Sequence, residues 1–362
     1  MSTIQLQRVT KRFGRFTAVR DVDLSVGAGE VVCLLGPSGC GKTTTLRMIA
    51  GLERPTAGDV VIAGRRMNDL KPEQRDVAMV FQFYALYPAM SVRDNIRFPL
   101  HYEGLGAADA DARVAKVAQL LHLNDVLDRT PSQLSEGEKQ RVAVARAVVR
   151  DPNCFLFDEP LSRLDVELRQ SMRGQIKAVL TGLSKATVIV THDQLEALTM
   201  ADRIAVMRDG IIEQIASPHE VFAAPANVFV ASFIGTPQMN LLDADYLGFA
   251  DGRGAFDAQG DRVRLKVDPA VQRLAPGKVT IGIRPRAIAS SPAATPETFP
   301  GRVELIEPMG AETLIHARTV SGLDIRVVVP REQRVQVGET LHLKADVAQT
   351  HVFGPDGRAV RG

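Results

Sequence analysis

The sequence predicts an α/β domain built on parallel strands, followed by a small all-β domain. Short apolar runs such as 31–35 and 154–158 lack polar alternation, which is typical of strands buried on both faces of a sheet. A glycine-rich turn follows the first run and leads into the helix-forming stretch "KTTTLRMIAGL". Near residue 235 the pattern changes to short alternating segments separated by Gly and Pro. We therefore expect an α/β domain over residues 1–235 and a β-rich domain over residues 236–362.

The composition is that of a soluble globular protein. Hydrophobic residues make up 45% and charged residues 24% of the 362 residues, and the net charge of +2 gives no strong field toward nucleic acid or acidic lipid. No apolar run approaches the roughly 18–20 residues of a membrane span, and the N-terminus lacks the layout of a secretory signal. Three cysteines without metal-ligand spacing fit a reducing compartment. We expect a cytoplasmic protein that meets a membrane only through a partner.

The motif "GPSGCGKT" at residues 36–43 follows the first strand and opens a helix, as a phosphate-binding P-loop requires. Its glycines allow backbone N–H groups to turn toward a β-phosphate, and the helix N-terminus adds positive potential. Lys42 can reach the β- and γ-phosphates, and the Thr43 hydroxyl can bind Mg²⁺. The alternative is a glycine-rich turn with an incidental lysine, but the strand before it and the helix after it favour nucleotide. The expected nucleotide-binding residues are Gly36, Pro37, Ser38, Gly39, Cys40, Gly41, Lys42, Thr43 and Thr44.

A short strand and a helical stretch come next. Gln82 follows the strand-like "VAMV", where its amide is suited to sensing water and a metal ion. Further along, "QRVAVARAVV" is rich in Ala and Val, and apolar residues repeat at helical spacing at Val114, Val117, Ala118 and Leu121. We therefore expect an inserted helical subdomain over about residues 88–152.

Two acidic residues follow the apolar strand in "CFLFDEP". Asp158 and Glu159 should emerge at the carboxyl end of this strand, where open α/β sheets bind their ligands. Asp158 is placed to hold Mg²⁺, and Glu159 is the expected general base for the attacking water. An Asp-Glu pair taken alone is more often a solvated strand end, but its position behind a P-loop favours the catalytic interpretation.

The remaining strands add one histidine and one aspartate. "VIVTHD" places His192 at a strand end, where its imidazole can contact a γ-phosphate, and "LSRLD" places Asp165 in a loop beyond Glu159. The run "RIAVM" at 203–207 predicts one more buried strand. After residue 236, segments such as "RVELIE" and "TLHLKADV" alternate in hydrophobicity and predict a barrel-like β domain.

These elements, in this order, resemble the nucleotide-binding subunits of ABC transporters. The resemblance implies a P-loop NTPase core of the ABC ATPase type with an inserted helical subdomain, followed by an OB-like regulatory and dimerisation domain. It also implies that ATP and Mg²⁺ are bound and that ATP is hydrolysed. The matching parts are the Walker A loop at 36–43, the Q-loop Gln82, the signature at 134–138, the Walker B residues Asp158 and Glu159, the D-loop at 162–165, the switch His192 and the adenine-stacking Phe13. For Phe13, a place in the core is the alternative.

The resemblance assigns a role to each of these residues. Catalytic roles fall to Glu159, His192, Gln82 and Lys42, and metal contacts to Thr43, Gln82 and Asp158. Ser135 and Gly137 would donate hydrogen bonds to the γ-phosphate held by a second ATPase subunit. Two such subunits would close around two ATP molecules and drive two transmembrane permease subunits, which an external solute-binding protein supplies. The expected location is the cytoplasmic face of the inner membrane.

The second domain narrows the class. "FIGTPQMNLL" at 233–242 and "GIRPR" at 282–286 are similar to the tail of importer ATPases of the maltose and glycerol-3-phosphate type, which implies a carbohydrate, polyol or glycerol-3-phosphate-like solute. Importers of metal, sulfate or polyamine are the alternative. A soluble ABC ATPase acting on nucleic acid is the third possibility, but the near-neutral charge does not favour a nucleic-acid partner.

The signature departs from the family sequence Leu-Ser-Gly-Gly-Gln. Ser135 and Glu138 are spaced as a capping box, so a glutamate at 138 keeps a structural role. Glu136 stands in the first helical turn and would face a triphosphate, at an upper cost of roughly 2 kcal/mol, unless a neighbour such as Arg163 pairs with it. Phe83 and Arg163 also depart from the family sequence. These departures leave two possibilities open, namely pairing with a non-identical ATPase and ordinary sequence drift in a homodimer. Arg286 replaces a glutamate of the family and puts that residue's regulatory contact in doubt.

Overall fold

The computed structural model describes residues 3–182, 184–250, 252–265, 267–291, 294, 298–346 and 349–361. The chain divides into two compact units, residues 1–218 and 219–362. This division falls earlier than the expected boundary at 235. The segment after residue 218 groups with the second unit because the Arg284 guanidinium donates to the carbonyl oxygens of Phe222 and Ile234, at 2.5 and 2.8 Å.

The first unit contains two sheets and the helices that connect their strands. Its strands are β1 (Ile4–Phe13), β2 (Phe16–Val26), β3 (Val31–Leu35), β4 (Ala57–Ile62), β5 (Arg65–Arg66), β6 (Val77–Val80), β7 (Cys154–Asp158), β8 (Ala186–Thr191), β9 (Arg203–Arg208) and β10 (Ile211–Ala216). Its helices are α1 (Lys42–Ala50), α2 (Val92–Arg97), α3 (Ala107–Leu120), α4 (Glu136–Val148), α5 (Val166–Thr181) and α6 (Gln194–Met200), and α7 (Pro218–Ala223) spans the division. The predicted apolar strands are confirmed.

The central sheet has the strand order β10-β9-β3-β8-β7-β6. All neighbours except β10 and β9 run parallel. Because β3, β7 and β8 are buried along their whole length, their sequences read as continuous apolar runs. The carboxyl ends of parallel strands meet at one edge, so the segments after β3, β6, β7 and β8 converge there. A separate antiparallel sheet has the order β2-β1-β4-β5.

Helices α2, α3 and α4 occupy the chain between β6 and β7, as the helical stretch of the sequence predicts. The periodic apolar residues Val114, Val117, Ala118 and Leu121 are all buried. Within the part of the chain that the structure describes, no helix is long and apolar enough to cross a membrane.

The second unit is almost entirely antiparallel β structure. It contains α8 (Val228–Phe233), β11 (Asn240–Ala250), β12 (Arg253–Ala258), β13 (Asp261–Leu265), β14 (Gly277–Ile283), β15 (Ile288–Ser291), β16 (Phe299–Pro308), β17 (Glu312–Thr319), β18 (Asp324–Pro330), β19 (Thr340–Ala345) and β20 (Thr350–Phe353). The strand orders of its two five-stranded sheets are β13-β12-β11-β14-β20 and β15-β19-β16-β17-β18. Alternate residues of both sheets, among them Phe256, Ile281, Ile315 and Leu343, form one apolar core.

Arg286, which replaces a glutamate of the family, pairs within this second unit. Its Nε and Nη2 lie 3.0 and 2.6 Å from the two Glu312 carboxylate oxygens, and its Nη1 donates to the Thr236 carbonyl oxygen at 2.9 Å. This bidentate pair is mostly exposed, so its contribution to stability is small.

Candidate active site

The loop between β3 and α1 turns through two glycines with left-handed backbones, Gly39 (φ 78°) and Gly41 (φ 105°). A Cβ atom at Gly41 would lie 2.6 Å from the Ala18 carbonyl oxygen, so packing as well as backbone conformation requires glycine there. At Gly39 the same atom would meet nothing within 4 Å, so this part of the loop is open. The loop therefore combines a fixed base with an open side, as an anion cradle requires.

Lys42 lies over this loop and is 5% exposed. Its Nζ donates to the carbonyl oxygens of Gly36 and Pro37, at 2.8 and 2.9 Å. Among the described residues no carboxylate forms an ion pair with this ammonium group, so its positive charge is not neutralised by the protein. A buried charge of this kind favours an anionic ligand in the cradle.

Thr43 and Asp158 bring two oxygen ligands together. The Thr43 hydroxyl donates to Asp158 Oδ1 at 3.3 Å, which joins the start of α1 to the end of β7. Burial raises the pKa of the Asp158 carboxyl, and the neighbouring Glu159 charge acts in the same direction, while the Thr43 hydrogen bond opposes them. A hydroxyl and a single carboxylate beside a phosphate site fit Mg²⁺, which keeps most of its ligands as water or phosphate oxygens. The described residues form no metal-binding group of three or more His, Cys, Asp or Glu side chains.

Glu159 is the centre of a second cluster. Its Oε2 accepts a hydrogen bond from Gln82 Nε2 at 3.1 Å, and its Oε1 lies 3.2 Å from His192 Nδ1. The structure thus brings together three predicted catalytic residues from the ends of β6, β7 and β8. Glu159 adopts a left-handed backbone (φ 46°), which is unusual for a residue other than glycine and occurs at functional sites. The Gln82 amide contacts Glu159 here, and among the described contacts none joins it to Thr43 or Asp158.

Ser162 is a member of this cluster that the sequence analysis missed. Its hydroxyl donates to the Glu159 carbonyl oxygen at 3.0 Å and lies 3.4 Å from Gln82 Nε2. The motif "LSRLD" drew attention only to Asp165, which is the N-cap of α5 and accepts from the Leu168 backbone N–H at 2.8 Å. A serine three residues after the proposed base gives no sequence signal of its own.

His192 is oriented by the turn in which it lies. The Thr191 hydroxyl donates to the Glu196 carboxylate at 2.7 Å and accepts from the Asp193 backbone N–H at 3.0 Å. Asp193 is the N-cap of α6. Burial raises the pKa of Glu196, although the Thr191 hydrogen bond opposes this. The two hydrogen bonds of Thr191 therefore fix the turn. The His192 side chain, which contacts Glu159, is 58% exposed and accessible to a ligand.

Phe13 lies at the hairpin between β1 and β2. Its side chain is 46% exposed, so the alternative of a core phenylalanine is wrong. The Lys11 ammonium lies 4.7 Å from the ring centroid. An exposed aromatic ring beside a cation can stack on a flat heterocycle.

The signature turn, residues 134–138, leads into α4 and forms its first turn. The Ser135 backbone N–H donates to Glu138 Oε2 at 2.7 Å, and the Glu138 N–H donates to the Ser135 hydroxyl at 3.4 Å, which confirms the capping box. A Cβ atom at Gly137 would lie 2.8 Å from the Leu168 side chain. Among the described residues no hydrogen bond or ion pair joins this turn to the loop at 36–44.

Glu136 has direct partners other than the expected Arg163. Its Oε1 accepts from Lys139 Nζ at 2.7 Å and its Oε2 from the Tyr84 hydroxyl at 2.9 Å. These two hydrogen bonds, that of Lys139 first, lower the pKa of the Glu136 carboxyl. The Arg163 guanidinium instead stacks over the Phe83 ring, 4.4 Å from its centroid. Arg163 therefore forms no hydrogen bond or ion pair with Glu136 among the described residues, although its charge also lowers the pKa of the Glu136 carboxyl.

Cys40 differs from the neighbouring loop residues. Because it lies at a helix N-terminus, the sequence predicts that its thiolate is favoured, and that alkylation there blocks nucleotide binding while ATP protects. In the structure the residue is 3% exposed, and burial raises the pKa of its thiol even though Lys42 opposes the shift. The expectation of a favoured thiolate is wrong because desolvation outweighs the favourable charge.

The fold and this site define a P-loop ATPase, and comparison with known proteins gives its family. The ABC transporter family matches residues 19–162, and the TOBE domain family matches residues 281–353. The sn-glycerol-3-phosphate import ATP-binding protein UgpC 3 of Rhizobium johnstonii is 44% identical over 359 residues, covering 98% of both chains. The trehalose/maltose import ATP-binding protein MalK of Thermococcus litoralis is 45% identical over 373 residues, also covering 98% of both chains.

Solved structures agree with these relatives over 59% of this chain. A dimeric bacterial ABC transporter cassette is 31% identical, with a TM-score of 0.54, and covers 59% of this chain and 98% of its own. A dimeric post-hydrolysis state of an ATP-binding cassette with ADP and Pi gives a TM-score of 0.53 at the same identity and coverage. The chain belongs to the ABC transporter family of import ATP-binding subunits, and it hydrolyses ATP.

Proposed function

We propose that this subunit powers the import of a carbohydrate, polyol or glycerol-3-phosphate-like solute. The observation that carries the proposal is its identity of 44–45% to glycerol-3-phosphate and trehalose/maltose import proteins, over 98% of their length. The likeness extends through the second unit, which the solved single cassettes lack.

In the proposed mechanism, the loop at 36–44 holds the β- and γ-phosphates of ATP, with Lys42 turning from its two carbonyl partners toward them. Thr43 and Asp158 would hold Mg²⁺, which supplies positive charge to the phosphate oxygens when it is bound. Phe13 stacks on the adenine.

Glu159 acts as the general base of hydrolysis. Each carboxylate oxygen can accept more than one hydrogen bond, so the contacts with Gln82 and His192 hold the group while it accepts a proton from the attacking water. Their contacts with Glu159 support a role for His192 and Gln82 in holding the γ-phosphate and the water. The buried Thr191–Glu196 contact keeps His192 in position.

The proposed assembly is a pair of ATPase subunits. Among the described residues no hydrogen bond or ion pair joins the signature turn to the loop at 36–44, which supports a role for Ser135 and Gly137 in the ATP site of a second ATPase subunit. Closing of the pair around ATP would then shift two permease subunits, supplied by an external solute-binding protein, between their conformations. A subunit acting in this way would work at the cytoplasmic face of the inner membrane.

A pair with a non-identical ATPase is the second candidate. It was favoured by the expected repulsion between Glu136 and ATP. Because both Glu136 oxygens are already hydrogen-bonded, this reason for two unequal sites is weakened. We therefore propose a homodimer, and isolation of a mixed pair from the native host would overturn that choice.

The decisive experiment is reconstitution in vesicles with the cognate permeases and binding protein. We expect maltose, trehalose or sn-glycerol-3-phosphate to stimulate ATP hydrolysis several-fold, and a Glu159→Gln complex to show no stimulation. Stimulation by sulfate, a polyamine or a metal ion instead would reassign the solute.

A further inference from the structure

The segment that follows Gln82 is fastened to α4 at two separate places. The Tyr84 hydroxyl donates to Glu136 in the first turn of this helix, at 2.9 Å. Arg146, near the other end of the helix, donates to the carbonyl oxygens of Tyr84 and Ala85, at 2.9 and 2.6 Å. Tyr84 itself is only 9% exposed. One helix therefore holds both the side chain and the backbone of Tyr84.

The same segment also contacts the loop after Glu159. The Phe83 ring lies under the Arg163 guanidinium, and Gln82 Nε2 lies 3.4 Å from the Ser162 hydroxyl. Gln82 also donates to Glu159 itself. A short path of contacts thus runs from Glu136 through Tyr84 and Gln82 to the catalytic carboxylate.

Glu136 is not a free charge at the end of α4. Lys139 and Tyr84 each occupy one of its oxygens, and their hydrogen bonds lower the pKa of its carboxyl. Both oxygens of this carboxylate are therefore hydrogen-bonded to residues of its own chain. An effect of Glu136 on ATP hydrolysis then acts through these two contacts.

We propose that Glu136 is a positioning residue, which joins the signature turn to the Gln82 segment through the Tyr84 hydroxyl so that the two move as one. A shift of the signature turn against a second subunit is then transmitted to Gln82 and Glu159 of its own active site. The inference depends on ATP hydrolysis and not on which solute is imported.

The competing interpretation is electrostatic: Glu136 repels the triphosphate and weakens its binding. The two interpretations separate cleanly. Repulsion depends only on charge, so every neutral substitution at 136 would tighten ATP binding, whatever stands at 84. Positioning depends on a hydrogen-bond acceptor at 136 and on the hydroxyl at 84.

The test is steady-state ATP hydrolysis by the full-length chain with MgATP, with kcat and KM determined separately. Glu136→Ala removes the acceptor, Tyr84→Phe removes only the donor hydroxyl, and the double variant removes both. Glu136→Gln removes the charge but keeps an acceptor oxygen. Lys139→Ala is the matched control, since it removes the other partner of Glu136 and leaves the Tyr84 contact in place.

We expect Glu136→Ala and Tyr84→Phe each to lower kcat roughly five- to tenfold, because small misplacements of catalytic groups cost this much or more, with little change in the KM for ATP. The double variant should be no slower than either single variant. Glu136→Gln should recover most of the loss, and Lys139→Ala should resemble the starting protein.

Three results would overturn the proposal: additive losses in the double variant, an unchanged kcat in Tyr84→Phe, or a lower KM in both Glu136→Gln and Glu136→Ala. Should Glu136→Ala fail to fold, the comparison of Tyr84→Phe with Glu136→Gln is sufficient. The proposal requires a lower kcat in Tyr84→Phe and a nearly unchanged kcat in Glu136→Gln. Solute-stimulated activity is not part of this readout, so failure of the positioning role and failure of the proposed import function are distinguishable.

Discussion

Glu159 is the residue through which the side chains of the candidate active site are connected. Its carboxylate is 19% exposed and meets Gln82 on one oxygen and His192 on the other, while its backbone N–H donates to the Val190 carbonyl oxygen at 2.9 Å. These contacts hold it at the end of β7 in an unfavourable backbone conformation. A residue held so closely is suited to proton transfer, which depends on geometry before it depends on pKa.

Replacing Glu159 with Gln removes the proton acceptor and retains the side-chain shape. We expect ATP hydrolysis to fall by at least about 100-fold while ATP binding is preserved, because general-base catalysis contributes roughly that much or more. Hydrolysis assays and calorimetric titration with ATP measure the two effects. The surface variant Glu73→Gln serves as the control and should retain full activity. Undiminished hydrolysis in Glu159→Gln would exclude Glu159 as the base.

Cys40 gives a second prediction at this scale. Since burial raises the pKa of its thiol and the side chain is 3% exposed, iodoacetamide at pH 7.5 should label the native protein far more slowly than the unfolded protein. Mass spectrometry of the modified peptides measures the rate, and Cys40→Ser identifies the site. Complete labelling of native Cys40 within minutes would contradict the buried position.

At the scale of elements, the C-terminal end of α1 and the N-terminal end of α4 are each stabilised by hydrogen bonds. The Gly51 backbone N–H, in a left-handed conformation, closes the end of α1, and the buried Arg75 donates to the carbonyl oxygens of Met48 and Ile49 at 2.7 and 2.9 Å. The capping box of Ser135 and Glu138 begins α4. The C-terminal end of α1 and the N-terminal end of α4 are therefore both specified by particular contacts, and an N-cap such as Ser135 contributes about 1 kcal/mol.

Strand β20 carries a pH-sensitive contribution to stability. Burial, followed by the charges of Arg361 and Arg284, lowers the pKa of His351 to about 4. Its pKa in the unfolded chain is near the ordinary value of about 6.5, so between these values the unfolded state binds the extra proton. This stability is fully present above about pH 6.5 and is lost as the pH falls toward 4.

We therefore expect the melting temperature to fall between pH 7 and pH 5, and the fall to be smaller in His351→Gln. Differential scanning calorimetry at both pH values measures it. His219→Gln, which replaces a histidine of α7, is the comparison. An identical pH dependence in His351→Gln and the unsubstituted protein would show that His351 is not the group responsible.

At the scale of the whole molecule, we propose that a second chain completes the ATP site. The loop at 36–44 and the signature turn are not joined by any described hydrogen bond, and both similar solved cassettes are dimers. An interface that completes two sites at once makes hydrolysis a property of the pair.

Mixing two inactive variants tests this directly. Lys42→Ala disables the phosphate loop and Ser135→Arg blocks the signature turn, so each homodimer should be inactive. A mixed dimer has one site with both an intact loop and an intact signature turn, and co-expression with different affinity tags should restore part of the hydrolysis. If both elements acted within one chain, the mixed dimer would remain inactive.

The sequence predicts those parts of the protein whose causes are local. The apolar runs of β3, β7 and β8 follow from burial on both faces, the phosphate loop from glycines between a strand and a helix, and the capping box from two residues three positions apart. The convergence of the catalytic residues was also expected, because each follows a parallel strand. In each case, residues that are close together in the sequence are enough to make the prediction.

Only the tertiary structure decided contacts between distant parts of the chain and the effects of burial. Tyr84 and Glu136 are 52 positions apart, and Gln82 and Glu159 are 77 apart, so no periodicity relates them. The raised pKa of Cys40 depends on the packing around it, which outweighs its helix-end position. The segment after residue 218 joins the second unit through Arg284, some 50 positions further along. Sequence patterns report local conformation, whereas desolvation and partner choice are fixed only when the chain has packed.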